Sequence, residues 1–234
     1  MATERRKKTQ SGQEIIEFGL VAILFVPMFM GSFIVGMNLI RANSANQVCR
    51  DLDDMYIHGA DFSTYSMQLL AQRLAAGLNL QIGSSFTGNS NSNTSNSGNG
   101  LVTVTQIMYI GPTTSPSCVA VGAGNCTNHD NFVYTTRVQF GNGTLSNANT
   151  VTLGTPSGAT INNSGTVQNY VTDSHAKVPD PAQTNMKNLW QTSSNGQSPL
   201  VDQQAVYIVE VYFQSPDLSL GSLSGNGVYA RYFF

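Results

Sequence analysis

The chain has 234 residues, which allows one moderate domain plus an anchor, or two small lobes, and excludes a large multidomain enzyme. Only 10% of the residues are charged, and outside one apolar run Asn, Ser, Thr and Gly take their place, as in many secreted and cell-surface proteins. The formal charge of −2 divides into +3 for residues 1–12 and −5 for the remainder. An acidic main body argues against a nucleic-acid partner.

Residues 1–12 are polar and contain four consecutive cations, Arg5 to Lys8. We predict a cytoplasmic leader here, without structure of its own. Basic residues flanking a membrane span favour the cytoplasmic side, and these four outnumber Arg41 and Arg50 beyond the apolar run. The predicted orientation is therefore N-terminus inside, with the rest of the chain outside after about residue 41.

An apolar run follows the leader. The 20 residues from Phe18 to Met37 carry no charge, and at about 1.5 Å of rise each they reach about 30 Å, the thickness of a bilayer's hydrocarbon core. Neither proline nor glycine occurs over 38–58, so we predict one transmembrane and stalk helix over 13–58. A cleaved signal peptide is disfavoured, because the run is too long and the nearest small-x-small site is at 42–45.

Glu17 directly precedes the uncharged run. An ionised carboxylate at the edge of a membrane is costly unless it is paired, so we interpret Glu17 as a functional residue. The alternative is an acid that extends its side chain to the polar interface.

Residues 59–234 are predicted to form an α+β extracytoplasmic domain. A second helix should begin near Asp61 or Ser63, either of which can cap it. Its apolar residues recur at helical spacing and are expected to pack on a sheet. They are Met67, Leu70, Leu74 and Leu78. Residues 83–100 are almost all Gly, Ser, Thr and Asn, a composition that predicts a flexible surface loop.

Four strands are predicted from runs of β-branched and apolar residues, giving an antiparallel sheet. They cover residues 101–110, 131–140, 205–214 and 227–234. In the second strand one face is expected to carry every second residue. Those residues are Phe132, Tyr134, Thr136, Val138 and Phe140.

The long segment 142–200 is rich in turn-forming residues, and we expect only short extended pieces in it, at 151–153 and 166–171. Trp190, the only tryptophan, is expected to pack this segment onto the core. A cross-strand ion pair is predicted among three residues at inner strand positions. They are Arg137, Glu210 and Arg231.

The three cysteines are compatible with an oxidising compartment. Cys118 and Cys126 enclose a short glycine-containing loop, and we predict a disulfide between them. Cys49 is left over, and we interpret it as a packed thiol rather than a lipidation or intermolecular site.

No catalytic constellation stands out in the sequence. Its three histidines are far apart without ligand spacing, and it has neither a phosphate-binding Gly-Lys-Ser/Thr loop nor a metalloprotease His-Glu pair. Asp51, Asp53 and Asp54 on the first helix lack the later glycine and glutamate of a calcium loop. We interpret them as a solvated helix face, and expect a non-enzymatic protein without metal or cofactor.

The start of the chain resembles the class III signal of type IV pilins and pseudopilins, and most closely that of TadE-like proteins of tight-adherence (Flp-type, type IVc) pilus systems. The matching residues are Gly12, Glu17, Phe18 and Pro27. The apolar strands near the C-terminus also look like the sheet of this family. Gln13 departs from the usual first mature residue, and the extracytoplasmic domain is larger than the small Flp major subunits.

This resemblance implies a pilin-like fold and cleavage between Gly12 and Gln13 by a membrane-embedded prepilin peptidase. It also implies insertion in the bacterial inner membrane, contact with an assembly platform, and packing against other pilin subunits through the N-terminal helix. Glu17 and Phe18 would set the register, because a new ammonium at Gln13 neutralises Glu17 of a neighbour only when the helices are staggered. After assembly the chain would be located in a cell-surface filament, or beneath it in the periplasm.

A second class of function stays open from the sequence. The alternative to the pilin is a single-span, membrane-anchored adhesin or binding module whose polar loops contact a surface, without processing and without filament assembly.

Overall fold

The computed structural model describes residues 3–147, 156, 158–191, 200–214 and 227–233, and the chain divides into two compact units, Met1–Arg41 and Ala42–Phe234. The helices are α1 (Thr3–Ile57), α2 (Tyr65–Leu74), α3 (Pro116–Val121) and α4 (Asp180–Gln191). The strands are β1 (Ser92–Ser95), β2 (Gly100–Ile110), β3 (Asn131–Asn142), β4 (Ala205–Phe213) and β5 (Val228–Phe233). The described strands form one sheet in the order β1-β3-β2-β4-β5.

The α+β layout predicted from the sequence is confirmed, and β2 to β5 match the four predicted strands to within two residues at each end. The prediction of a purely antiparallel sheet is wrong at one edge. Neighbouring strands from β3 through β2 and β4 to β5 are antiparallel, whereas β1 pairs with β3 in parallel. The sheet is therefore mixed.

Helix α1 begins at Thr3 rather than at Gln13, so the segment predicted to be an unstructured leader is helical. Residues 3–11 contain no proline or glycine and are mostly Glu, Arg, Lys and Gln, which are good helix formers. The helix also continues through Pro27, as expected for a segment of this kind.

Within the second unit, residues 42–57 of α1 lie on one face of the sheet. Ala45, Val48, Cys49 and Leu52 are buried, at the i, i+3, i+4, i+7 spacing of a single helix face. They share a core cluster with inward-facing residues of the sheet and with α2. The sheet residues of this cluster are Val102, Val104, Val138, Phe140, Val209, Val211, Phe213 and Ala230.

Helix α2 presents a different face to the core from the one its leucines predict. Leu70 and Leu74 are 39% and 44% exposed, whereas Gln68 and Ala71 are buried. The reason is that the small Ala71 allows close approach, while the buried Gln68 donates through Nε2 to the Phe62 carbonyl at 2.8 Å. The expectation that this stripe is core is therefore wrong for Leu70 and Leu74, whereas Leu78 is buried and Met67 packs against the core cluster.

Residues 83–100 contain strand β1, although their composition predicts only a flexible loop. The Nδ2 of Asn93 in β1 donates to Gln68 Oε1 at 2.7 Å, and Gln139 N in β3 donates to the Asn91 carbonyl at 2.9 Å. The segment buries little apolar surface of its own. Polar contacts, among them the one with the buried Gln68, hold the segment in place, and amino-acid composition alone does not predict such contacts.

A bulge in β3 overturns the prediction that five of its residues share one face. Gln106 of β2 pairs with Thr136, but the next residue, Ile107, pairs with Tyr134, which leaves Thr135 as the extra residue. A bulge of this kind reverses the alternation of side chains along a strand. Val138 and Phe140 therefore pack against α1 and α2, whereas Phe132 and Tyr134 belong to a second cluster.

The second cluster is closed by the segment before and within α4, an element not predicted from the sequence. Pro181 lies in the first turn of α4, where proline is tolerated. Gln183 joins α4 to β3, since its Oε1 accepts from Phe132 N at 2.9 Å and its Nε2 donates to the Phe132 carbonyl. Both faces of the sheet are thereby covered.

Candidate membrane anchor and assembly segment

The first part of α1 is apolar on all sides and exposed in the single chain. Among the described residues one helix, over Glu14–Ile57, is long and apolar enough to cross a membrane, and none of its most apolar stretch is buried. Phe18, Ile23 and Phe29 are each at least 75% exposed. A soluble helix hides such residues on one side, so this segment has the properties of a membrane span.

The residues of the predicted processing and assembly site all lie on α1. Gly12 and Gln13 are in its helical backbone, while the side chains of residues 1–13 lie outside what the structure describes. Glu17 and Phe18 are exposed, and Glu17 is one helical turn, about 6 Å of rise, beyond Gln13.

Three glycines of this segment have no packing role within the chain. At Gly19, Gly31 and Gly36 an added Cβ would meet nothing within 4 Å. Glycine in a helix interior costs about 1 kcal/mol relative to alanine, and the fold of one chain does not require these three.

Cys118 and Cys126 are joined by a disulfide, with their Cα atoms 5.1 Å apart, at α3 and the turn after it. Cys49 is a free, buried thiol. Its Sγ donates to the Val209 carbonyl at 3.2 Å, and burial raises the pKa of this thiol to about 12. A thiol that stays protonated is a poor nucleophile, so Cys49 behaves as a core residue.

The predicted cross-strand ion pair forms between two of the three residues named for it. Arg231 Nη2 lies 2.7 Å from Glu210 Oε1, and the same carboxylate oxygen accepts from the Tyr229 hydroxyl. Arg137 forms no ion pair within the described part of the chain. Instead its guanidinium lies 6.0 Å from the Tyr134 ring centre, and burial lowers the pKa of Arg137.

Asp53 departs most from its sequence interpretation. Its neighbours Asp51 and Asp54 are exposed as predicted, but Asp53 is 1% exposed, and neither of its carboxylate oxygens has a hydrogen-bond partner. Burial, with Asp54 nearby, raises the pKa of Asp53 to about 6. Asp53 follows Leu52 and lies four residues after Cys49, so it lies next to the face of α1 that the sheet covers.

Other polar groups have structural explanations. Asp173 accepts from His175 N and lies 2.9 Å from its Nδ1, which caps a short 3-10 turn at the surface. The expected core packing of Trp190 and the extended piece at 151–153 lie outside the described side chains and residues. The piece at 166–171 is limited to bridges at Thr166 and Val167.

Comparisons with known proteins give no relative from which to assign a family. No family model, no curated protein and no solved structure matches this chain. The functional argument therefore depends on the residues and their arrangement.

Proposed function

We propose that this chain is a structural pilin or minor pilin of a type IV-like tight-adherence pilus, inserted in the bacterial inner membrane and assembled through α1. The observation that carries the proposal is the difference between the two parts of α1. Large apolar side chains from Ile15 to Ile40 are exposed on all sides of the helix, while Ala45, Val48, Cys49 and Leu52 of the same helix belong to a domain core. An anchor that must later leave lipid can satisfy its apolar surface by packing against identical helices.

The three glycines of the anchor support packing between helices. A Cβ added at Gly19, Gly31 or Gly36 would meet nothing within 4 Å in the single chain, and small residues let helix backbones approach closely in an apolar environment.

Glu17 supplies the register in this proposal. An ionised carboxylate that enters a helix bundle requires a cation, and cleavage after Gly12 creates one at the amino group of Gln13. Prepilin peptidase is the partner that makes this group, and the assembly platform and neighbouring subunits are the partners that use it.

Glu17→Ala tests the proposal, with Glu14→Ala as matched control, because both residues are exposed acids in the same helix. We expect Glu17→Ala to reduce the amount of the chain in the sheared surface fraction by about tenfold or more, because the variant lacks the carboxylate that sets the register between subunits. Membrane insertion and leader cleavage should be unchanged, and Glu14→Ala should behave as wild type.

Equal amounts of wild type and Glu17→Ala in the sheared fraction would contradict assembly through this residue. If wild type itself stays in the membrane with its leader intact, the anchored binding module replaces the pilin as the function of the chain.

A further inference from the structure

A cavity of about 970 Å³ opens between α1 and strand β5, entirely within the unit Ala42–Phe234. Helix α1 contributes Cys49, Asp53 and their polar neighbours to its wall, and β5 contributes Ala230, Arg231 and Tyr232. None of these residues belongs to the apolar anchor, so the cavity is separate from the assembly segment.

Asp53 gives this cavity its chemical character. Both carboxylate oxygens are buried and unpartnered, an arrangement that is unfavourable for an ionised acid unless a cation or a hydrogen-bond donor is supplied. The neighbouring Asp51 and Asp54 add negative charge to the same wall.

The two cations that line the cavity do not meet this requirement. Arg231 is already neutralised by Glu210, and within the described part of the chain no ion pair joins the exposed Arg50 to Asp53. The negative charge of Asp53 is therefore left for a cation from another molecule to neutralise.

Strand β5 indicates what form that cation takes. It is the last strand of the sheet, and no described strand pairs with its outer side. In an antiparallel pair every second residue of an edge strand directs its N–H and C=O groups away from its neighbour, which makes the edge a template for an added strand. Tyr232 and Phe233 at its end remain 40% and 44% exposed.

The pairing register places the cavity on the correct side of such a strand. Ala230 is opposite Val211 and Tyr232 is opposite Val209, so their side chains share the sheet face that packs against α1. Every second side chain of a strand added to β5 would point toward the same face.

We propose that the β5 edge is a binding site for an extended peptide segment of a partner protein, which adds to β5 and places a Lys or Arg side chain against Asp53. Main-chain hydrogen bonds to β5 would supply affinity, and the buried acid would select the cationic residue. This site stands whether or not the chain enters a filament.

A direct test uses the full chain in detergent micelles and a labelled peptide, acetyl-Thr-Val-Thr-Arg-Thr-Val-Thr-amide, with citrulline in place of arginine as the neutral control. We expect saturable binding of the arginine peptide below about 1 mM, and binding at least about tenfold weaker for citrulline. Hydrogen exchange at amides 228–233 should slow only with the arginine peptide.

Asp53→Asn should weaken the arginine peptide by about tenfold or more, whereas Asp180→Asn, the same charge change at an exposed residue outside the cavity, should weaken it less than about threefold. Equal binding of the two peptides to wild type, or no binding, overturns the proposal, and that comparison holds even if Asp53→Asn fails to fold. Protection of 228–233 without peptide that rises with protein concentration also overturns it, by making a second copy the occupant.

Discussion

The two parts of helix α1 contrast two ways in which an apolar sequence is used. Over residues 14–40 large apolar side chains point in all directions and are exposed. They require apolar surroundings, but they make no packing contact with the sheet of their own chain. Over 45–52 the apolar residues are restricted to one face of the helix, and this face packs against the sheet. Substitutions should therefore act on assembly in the first part and on domain stability in the second.

The largest difference is expected between leucines of the two parts. Leu52→Ala removes a fully buried side chain and should lower the free energy of unfolding of the domain by about 3 kcal/mol through the cavity it leaves. Leu24→Ala, at a residue 63% exposed, should change it by less than about 0.5 kcal/mol. Hydrogen exchange of the β2 amides measures both, and equal effects would break the comparison.

The next effect is expected at the ion pair of β4 and β5. Glu210→Gln leaves Arg231 without its carboxylate in a site where Glu210 is only 2% exposed, and should cost about 2 kcal/mol or more. The measurement is the same exchange experiment on β2 and β4. A variant as stable as wild type would show that this ion pair contributes no more to stability than an exposed ion pair does.

A smaller and opposite effect is expected at Asp53. Its folded-state pKa is raised to about 6 from 3.8, so the folded state holds the proton longer than the unfolded state does. The contribution of Asp53 to the stability of the folded state is therefore highest below about pH 4 and is lost as the pH rises through about 6.

Asp53→Asn removes this charge without changing the size of the side chain. It should stabilise the domain at pH 7, have little effect at pH 4, and flatten the pH dependence between those values. Denaturant unfolding of both proteins across this range measures it. If the difference in stability between Asp53→Asn and wild type does not increase from pH 4 to pH 7, burial of Asp53 does not disfavour its charged form.

The smallest effect is expected at Leu70. It tests whether the leucine face of α2 or the face that carries Gln68 packs against the core. Leu70→Ser changes a residue that is 39% exposed and should cost less than about 0.5 kcal/mol. Gln68→Ala, by contrast, removes the donor to Phe62 and the acceptor for Asn93, and should cost about 1 to 2 kcal/mol. Reversal of that order would restore the leucine face as core.

The sequence predicts those parts of the fold that a local period determines. The apolar run of α1 and the strands β2 to β5 follow from hydropathy and alternation. Three features depend on tertiary contacts and escape this approach. The bulge at Thr135 reverses the pattern of β3, the buried Gln68 orders β1, and Gln183 fixes α4 on β3.

The candidate sites divide in the same way. Linear spacing singles out Gly12, Glu17 and Phe18. Glu17 and Phe18 lie in the predicted helix, whereas Gly12 is helical although the leader is predicted to have no structure of its own. Asp53 was interpreted as one of three solvated acids, since charge alone does not show which face of a helix the sheet will cover. The i+4 spacing from Cys49 carries that information only once the buried face of α1 is known.

The central claim is that the chain is processed after Gly12 and leaves the membrane in a filament, and intact-mass measurement of sheared surface material and of isolated membranes tests it most directly. The account predicts a chain that begins at Gln13 in the sheared fraction. A chain that retains residues 1–12 and is confined to the membrane fraction would contradict it.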